Sequence, residues 1–394
     1  MAMIEVTAKL PGRSVFLAGE VVECSVIFKN VGVKHQNPSS PSRRSSIKLA
    51  WASAQVHCQC TVSDNKVMLP KPTLLSNADV TTTGNETSFL PSKGEKGATV
   101  LATKPTILFC DLALGPGESK TFTYKEALPS DAPPSFRGSL IKYSYKITIG
   151  AQRFNYPTRL LRIPIRVLVV PGLNDISVYQ DEDTMRPSNP FLRRQQKENS
   201  LLEIALEILQ SITCRKGPNF YNITNSRGKV ARFCLFKQAY RIGEDIIGTC
   251  DFSQATIPCV QYSVTLQSEE EISDEYRAKN TQGTTVTSYS KHHEFCLHTK
   301  KTHISVPIPL TASPGFSTDI VSLKWRLHFE FVTTKTLLPV LTEPQSPEES
   351  ALWRGPSQLD VETLVWDLPI KVFATNPIPA TVVSLLKLEN SCMV

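Results

Sequence analysis

The stretch YRIGEDIIGTCDF, Tyr240 to Phe252, repeats the pattern of VFLAGEVVECSVIF, Val15 to Phe28, from much earlier in the chain. Setting Gly19 against Gly243 places Val22, Cys24, Val26 and Phe28 on Ile246, Gly248, Cys250 and Phe252. Alternate positions share one face of a strand, and this face is apolar or small in both copies. The opposite face, Glu23 and Ser25 against Ile247 and Thr249, is mixed. A glycine just before the strand suits a turn that needs positive φ. Two further pairs follow in the same order. IKYSYKITI (Ile141 to Ile149) matches LKWRLHFEF (Leu323 to Phe331), with Lys142 on Lys324, Tyr143 on Trp325, Tyr145 on Leu327 and Ile147 on Phe329. RIPIRVLV (Arg162 to Val169) matches DLPIKVFA (Asp367 to Ala374), with Ile163, Ile165 and Val167 on Leu368, Ile370 and Val372. Alternating strands, Pro/Gly turns and little helical periodicity predict an all-β chain built from two tandem sandwiches.

The chain's 394 residues leave room for two or three domains. Its 41% hydrophobic and 20% charged content is that of an ordinary globular protein. The net charge of +7 is diffuse, with no Lys/Arg run of five, which argues against nucleic acid and leaves a weak preference for acidic surfaces or partners. The opening MAMIEVTAKL lacks a secretory pattern, and the apolar stretch around Ile163 to Val170 is broken by Pro164 and Arg166. In that setting the ten cysteines read as reduced thiols of a cytosolic protein. The final Cys392-Met393-Val394 falls one residue short of a prenylation signal.

The expected organisation is a first sandwich over 1–171, a linker with an amphipathic helix over 172–213, a second sandwich over 214–375 and a flexible tail over 376–394. Polar, Ser/Pro/Thr-rich stretches at Gly32 to Ser46, Lys66 to Pro105, Asn174 to Asn199, Glu269 to Thr285 and Thr334 to Pro356 read as loops or linker. SLLEIALEILQSI, Ser200 to Ile212, is the conspicuous helix, with Ser200 and Glu203 forming a capping box. Leu201, Ala205, Ile208 and Ile212 make one stripe, which Leu202 and Leu209 widen. Such a stripe either packs on the chain's own sandwich or meets a partner; these six are the candidate partner-contact residues.

A search for chemistry returns little. The sequence contains no Gly-rich phosphate loop, serine elbow or zinc-protease helix motif. KHHEFCLHTKKTH gathers His292, His293, Cys296, His298 and His303, but without zinc-site spacing it reads as a polar strand. Cys58 and Cys60 fall on one strand face and read as small core residues, and Trp325 and Trp366 as core aromatics. No catalytic, cofactor-binding or metal-ligating residue is assigned. LLKLE, Leu385 to Glu389, fits a short clathrin-docking pattern that arises often by chance.

Two tandem sandwiches, each with a Gly-Glu strand entry and a Pro-x-Phe approach to an aromatic strand, resemble the arrestin fold. AWASAQVHC (Ala50 to Cys58), ILFCDL (Ile107 to Leu112), PGESK (Pro116 to Lys120), PPSFRG (Pro133 to Gly138), YRIGED (Tyr240 to Asp245), SLKWRLHFEFV (Ser322 to Val332) and WDLPIKV (Trp366 to Val372) resemble the reduced growth phenotype protein one family. The resemblance covers most of both sandwiches but not the loops, linker or tail. It implies a non-enzymatic subunit of a heterodimeric guanine-nucleotide exchange factor. Its implied partners are a large propeller-containing subunit of the Ric-one type and the Golgi GTPase Rab-six, GDP-bound or nucleotide-free. It further implies a cytoplasmic protein recruited peripherally to Golgi membranes in endosome-to-Golgi retrograde transport, with no cofactor, nucleic acid or small-molecule substrate. The alternative is an arrestin-like cargo adaptor that recruits clathrin or a ubiquitin ligase. Ligase-recruiting relatives use Pro-Pro-x-Tyr, whereas the Pro-Pro here is followed by Ser135-Phe136.

Overall fold

The structure, a computed structural model, describes residues 3–32, 46–63, 65–69, 93–173, 201–279, 281–335, 358–375 and 389–393. The first half carries β1 (Met3–Lys9), β2 (Val15–Leu17), β3 (Val21–Val31), β4 (Ile47–Val62), β5 (Ala98–Ala102), β6 (Thr106–Leu114), β7 (Ser119–Ala127), β8 (Phe136–Arg137), β9 (Ile141–Arg153) and β10 (Arg159–Leu168). Helix α1 (Leu201–Ile212) follows. The second half carries β11 (Asn219–Asn225), β12 (Gly228–Leu235), β13 (Ala239–Arg241), β14 (Asp245–Asp251), β15 (Cys259–Ile272), β16 (Thr284–Phe295), β17 (Lys301–Pro307), β18 (Phe316–Ser317), β19 (Val321–Thr334) and β20 (Val361–Phe373), and the chain ends with β21 (Glu389–Met393). The described residues are therefore all-β, in two sandwiches, with one short amphipathic helix among them, between the two.

The first sandwich lays the sheet β21-β1-β3-β7 on the sheet β2-β10-β9-β4-β5, with β6 added to β4 and β8 to β9. The second lays β11-β12-β14-β17 on β13-β20-β19-β15-β16, with β18 added to β19. Alternation builds both cores: Val22, Cys24, Val26 and Phe28 of β3 point inward, as do Trp325, Leu327, Phe329 and Phe331 of β19. Each large side chain so buried contributes about 1.5–3 kcal/mol. Cys58 and Cys60 lie in the first core, where burial pushes their thiols up to about 12 and about 11, so both act as protonated hydrophobes.

The duplicated Gly-Glu unit has one structure in both places. Gly19 and Gly243 adopt φ values of 84° and 86°, the left-handed region that glycine enters without steric cost. The next residue folds its carboxylate back on the turn: Leu17 N–H donates to Glu20 Oε2 at 2.9 Å, and Arg241 N–H to Glu244 Oε2 at 3.0 Å. A base locks each carboxylate, Arg13 on Glu20 and Lys237 on Glu244. The same two bases sit over Phe16 and Tyr240, which pair in parallel with Val167 and Val372. Two basic residues that no strand pattern marks are thus part of the repeated unit.

The second sequence pair is shifted by two residues from the alignment made on sequence alone. Phe136 pairs with Tyr143 and Phe316 with Leu323. Tyr145 donates its hydroxyl to Pro133 O, and Trp325 its indole N–H to Ser313 O. Tyr143 therefore corresponds to Leu323 and Tyr145 to Trp325. The halves differ at one sheet edge. β12 carries β11 on its outer side, whereas β1 carries β21, so the last strand of the chain completes the first sandwich. Glu389–Met393 form this strand within the segment expected to be a flexible tail.

The expected loop over Glu269 to Thr285 is strand at both ends, because β15 runs to Ile272 and β16 begins at Thr284. The His/Cys stretch is not one strand: His292 and His293 lie on β16, Cys296 and His298 in the following turn, and His303 on β17. Ser200, the linker 174–199 and Leu385 to Leu388 lie outside the described residues.

Candidate functional site

Three constructions connect or cover the sandwiches, two that begin with outlying strand side chains and one that is helix α1. At the joint between halves, Ile272 pairs with Val321 and Val62 with Ile141, so β15 and β4 are counterparts. Glu270, two residues before Ile272, is 5% exposed and leaves its own sandwich to meet the entry of β9. Its Oε2 accepts hydrogen bonds from Ser139 N–H at 2.8 Å and Ser139 Oγ–H at 3.0 Å. Its Oε1 accepts from Leu140 N–H at 3.0 Å and Ile141 N–H at 2.9 Å. One carboxylate thus satisfies three successive backbone donors that the turn between β8 and β9 directs at it, and such charge-assisted bonds are about twice as strong as neutral ones. Gly138 makes room, since a Cβ there would stand 2.5 Å from the carboxylate oxygens.

The rest of the joint is nearly symmetric. Phe136 meets its counterpart Phe316 edge-on, with centroids 4.8 Å apart. Met68 N–H donates to Tyr276 O at 2.8 Å, and Ala278 N–H returns a bond to Lys66 O at 3.0 Å around the bridge from Val67 to Arg277. Val67 stands as far beyond Val62 as Arg277 beyond Ile272, so equivalent residues face each other, as in a self-complementary dimer interface. Ile272, Val321 and Leu323 of the second half join the first hydrophobic core.

Helix α1 closes the other side. Of the six candidate contact residues, Ala205, Ile208 and Leu209 are buried, and Leu201, Leu202 and Ile212 are half-buried. All six belong to one cluster with Val15 and Leu17 of β2, Leu168 of β10, Val170, Leu173, Phe373 and Ala374. The helix therefore packs on both halves. Leu206, outside the six, is half-buried on the flank nearer solvent.

The third construction lies on the outer face of the first sandwich. Val56, Cys58 and Cys60 of β4 face the core, so Gln55, His57 and Gln59 face away, yet all three are buried. The cover is the segment 93–97, which leads into β5, the strand paired with β4 at the sheet edge. Gln59 Nε2–H donates to Gly97 O at 2.9 Å, Gln55 donates to Thr103 O, and Arg162 donates to Lys93 O. Glu95 sits at the centre, 8% exposed, contacting Lys146 and lying 3.2 Å from Arg162 Nε and 3.4 Å from His57 Nε2. Burial opposes ionisation of Glu95, but Lys146, His57 and Arg162 outweigh it and hold the carboxyl below its ordinary range. Burial is likewise the largest influence on His57, lowering it against the pull of Glu95, so the ring is neutral at neutral pH.

Sequence reasoning missed Glu270, Glu95 and His57. For Glu270 a signal was present: Leu266, Ser268, Glu270 and Ile272 continue the β15 alternation on one face, and all four are buried. Among the described residues, no group of three or more His, Cys, Asp and Glu side chains is placed to hold a metal ion, and no helix is long and apolar enough to cross a membrane.

The sequence model of a family described as Rgp1 matches residues 71–175 and 173–334. RAB6A-GEF complex partner protein 2 of Homo sapiens is 48% identical over 382 residues, covering 95% of this chain and 96% of that protein. Its Bos taurus counterpart is 48% identical over 381 residues, covering 95% of each.

Proposed function

The chain belongs to the Rgp1 family, and from that premise we propose that it is the partner subunit of a guanine-nucleotide exchange complex acting on a Rab6-type GTPase. One observation carries the reading: 48% identity across 95% of the chain to a protein named as a partner in a RAB6A exchange complex. That extent takes in both sandwiches and the helix between them.

Exchange makes and breaks no covalent bond. The complex releases nucleotide by binding the empty GTPase more tightly than the loaded one, which calls for rigid surfaces held in a fixed relation. A joint bolted by Glu270 and a helix packed on both halves fit that demand. The finer parts of the proposal are a heterodimer with a large propeller-containing subunit, no catalytic side chain in this chain, and peripheral recruitment to Golgi membranes. The units carrying it are 1–171, 172–213, 214–375 and 376–394. Contact with the large subunit is assigned to the α1 region, through Leu201, Leu202 and Ile212, the half-buried members of the stripe whose Ala205, Ile208 and Leu209 anchor the helix.

Pull-down from cytosol with the tagged full chain tests this. The expected result is a stable complex with a large propeller protein and capture of a Rab6-type GTPase in its GDP-bound or nucleotide-free form. Leu202→Asp is expected to weaken the complex by more than its lowered melting temperature accounts for, because Leu202 also packs in the helix cluster. Recovery of clathrin or ubiquitin ligases alone would overturn the reading in favour of an adaptor.

A further inference from the structure

The outer face of the first sandwich is built like a peptide-reading surface. Beside the ladder of β4 and β5, its outward side chains take main-chain carbonyls, one carboxylate and the Thr99 hydroxyl, which donates to Gln59 Oε1 at 3.1 Å. Gln55, Gln59 and Arg162 take the carbonyls of Thr103, Gly97 and Lys93. Lys146, Arg162 and His57 surround Glu95. No apolar side chain of 93–97 takes part, because that stretch reads Lys-Gly-Glu-Lys-Gly. The fit over β4 is close, since a Cβ on Gly97 would stand 2.2 Å from Cys60 O.

The second sandwich provides the control. The counterparts of Lys146 and Pro164 are Arg326 and Pro369, which pair across β19 and β20 as the first two do across β9 and β10. There the acid comes from the sheet itself: Asp367 lies 2.6 Å from His328 and 3.4 Å from Arg326, and Glu269 lies 3.2 Å from Arg326. In the first sandwich, Arg162 stands at the position of Asp367, so the sheet presents two cations and imports its carboxylate. Lys146 and Arg162 both contact Glu95, and both remain partly open to solvent, at 30% and 27%.

We propose that this face, formed by Gln55, His57, Gln59, Lys146 and Arg162, is a docking site for an extended acidic peptide, and that the segment around Glu95 occupies it as an intramolecular stand-in. The occupant is a partner segment with a Glu or Asp at the Glu95 position and small residues beside it. Charge complementarity selects the acid, the glutamines and Arg162 hold the backbone, and Thr99 and Leu101 show where a hydroxyl and an apolar side chain add to the fit. This proposal does not depend on the partner-subunit reading.

The test uses the full chain and a fluorescent synthetic peptide of its own residues 93–103, KGEKGATVLAT. Glu95→Gln removes the charge of the stand-in, and the variant should bind the peptide at least tenfold more tightly than the unaltered chain. A peptide carrying Gln in place of its Glu should bind the same variant at least tenfold more weakly, and adding Arg162→Gln should abolish binding. A folded Glu95→Gln chain that binds no better than the unaltered one, or that ignores the peptide's carboxylate, overturns the proposal. Should Glu95→Gln fail to fold, hydrogen exchange on the unaltered chain decides. Millimolar peptide should speed exchange across 93–103, and unchanged exchange at that concentration overturns the proposal equally.

Discussion

Cys60 and Glu270 hold equivalent places in the two sandwiches, opposite Tyr143 on β9 and Leu323 on β19. Cys60 stays in its own core, whereas Glu270 crosses the joint and accepts four hydrogen bonds from the other half. The same contrast recurs on the outer faces. Lys146 and Arg162 are neutralised by an imported Glu95, while Arg326 meets Asp367 from the neighbouring strand. Duplication preserved the scaffold down to its Gly-Glu turns, and the halves diverged where a side chain meets something other than its own sandwich. A nearly self-complementary joint becomes directional chiefly through Glu270, together with Ile272, Val321 and Leu323, which enter the first core.

Breaking the joint should cost most. Glu270→Ala leaves Leu140 and Ile141 N–H buried without an acceptor, and a loss of roughly 3–5 kcal/mol is expected in urea unfolding. Cys60→Ala, at the equivalent place, removes one buried thiol and should cost about 1 kcal/mol. Similar losses from both would erase the distinction between the positions.

The outer faces sharpen the comparison at smaller magnitude. Glu95→Gln should cost about 1–3 kcal/mol, because its partners are largely buried. Asp367→Asn, in an exposed network, should cost less than about 1 kcal/mol. The first face also carries a pH signature. His57 is lowered on folding, so its contribution is complete above its ordinary 6.5 and is lost as pH falls below that value. Glu95 is lowered too, so its contribution is complete above 4.5 and is lost as pH falls through the depressed folded value. Melting temperature followed against pH should decline in both windows, and Glu95→Gln should remove the lower part of that decline.

Strand alternation and the Gly-Glu unit made the fold class and the duplication legible, because they depend on local periodicity and on one backbone conformation. The two-residue misregister between β9 and β19 was invisible for a physical reason: strand side chains alternate with period two, so a shift by two keeps every residue on its face. The pairing of Phe136 with Tyr143 and of Phe316 with Leu323, and the hydrogen bonds from Tyr145 and Trp325 to the preceding turns, fix the true alignment. Glu269 to Glu271 read as loop because three successive acids look solvated, and only the neighbouring half explains why the middle one is buried. Glu95 sits in a polar, glycine-flanked stretch without periodicity, and its role depends on cations supplied by β9 and β10. The helix was legible as an amphipathic stripe, but Ile204, outside the six, also packs in its cluster, and nothing in the stripe says that two sandwiches share the apolar side.

The most direct test of the central claim, that this chain is a rigid partner without exchange chemistry of its own, is nucleotide release from a Rab6-type GTPase loaded with fluorescent GDP. The account predicts near-background release with this chain alone and rapid release once the co-purified large subunit is added. It further predicts a slower rate when the assembled complex carries Glu270→Ala. Rapid release by the isolated chain would contradict it.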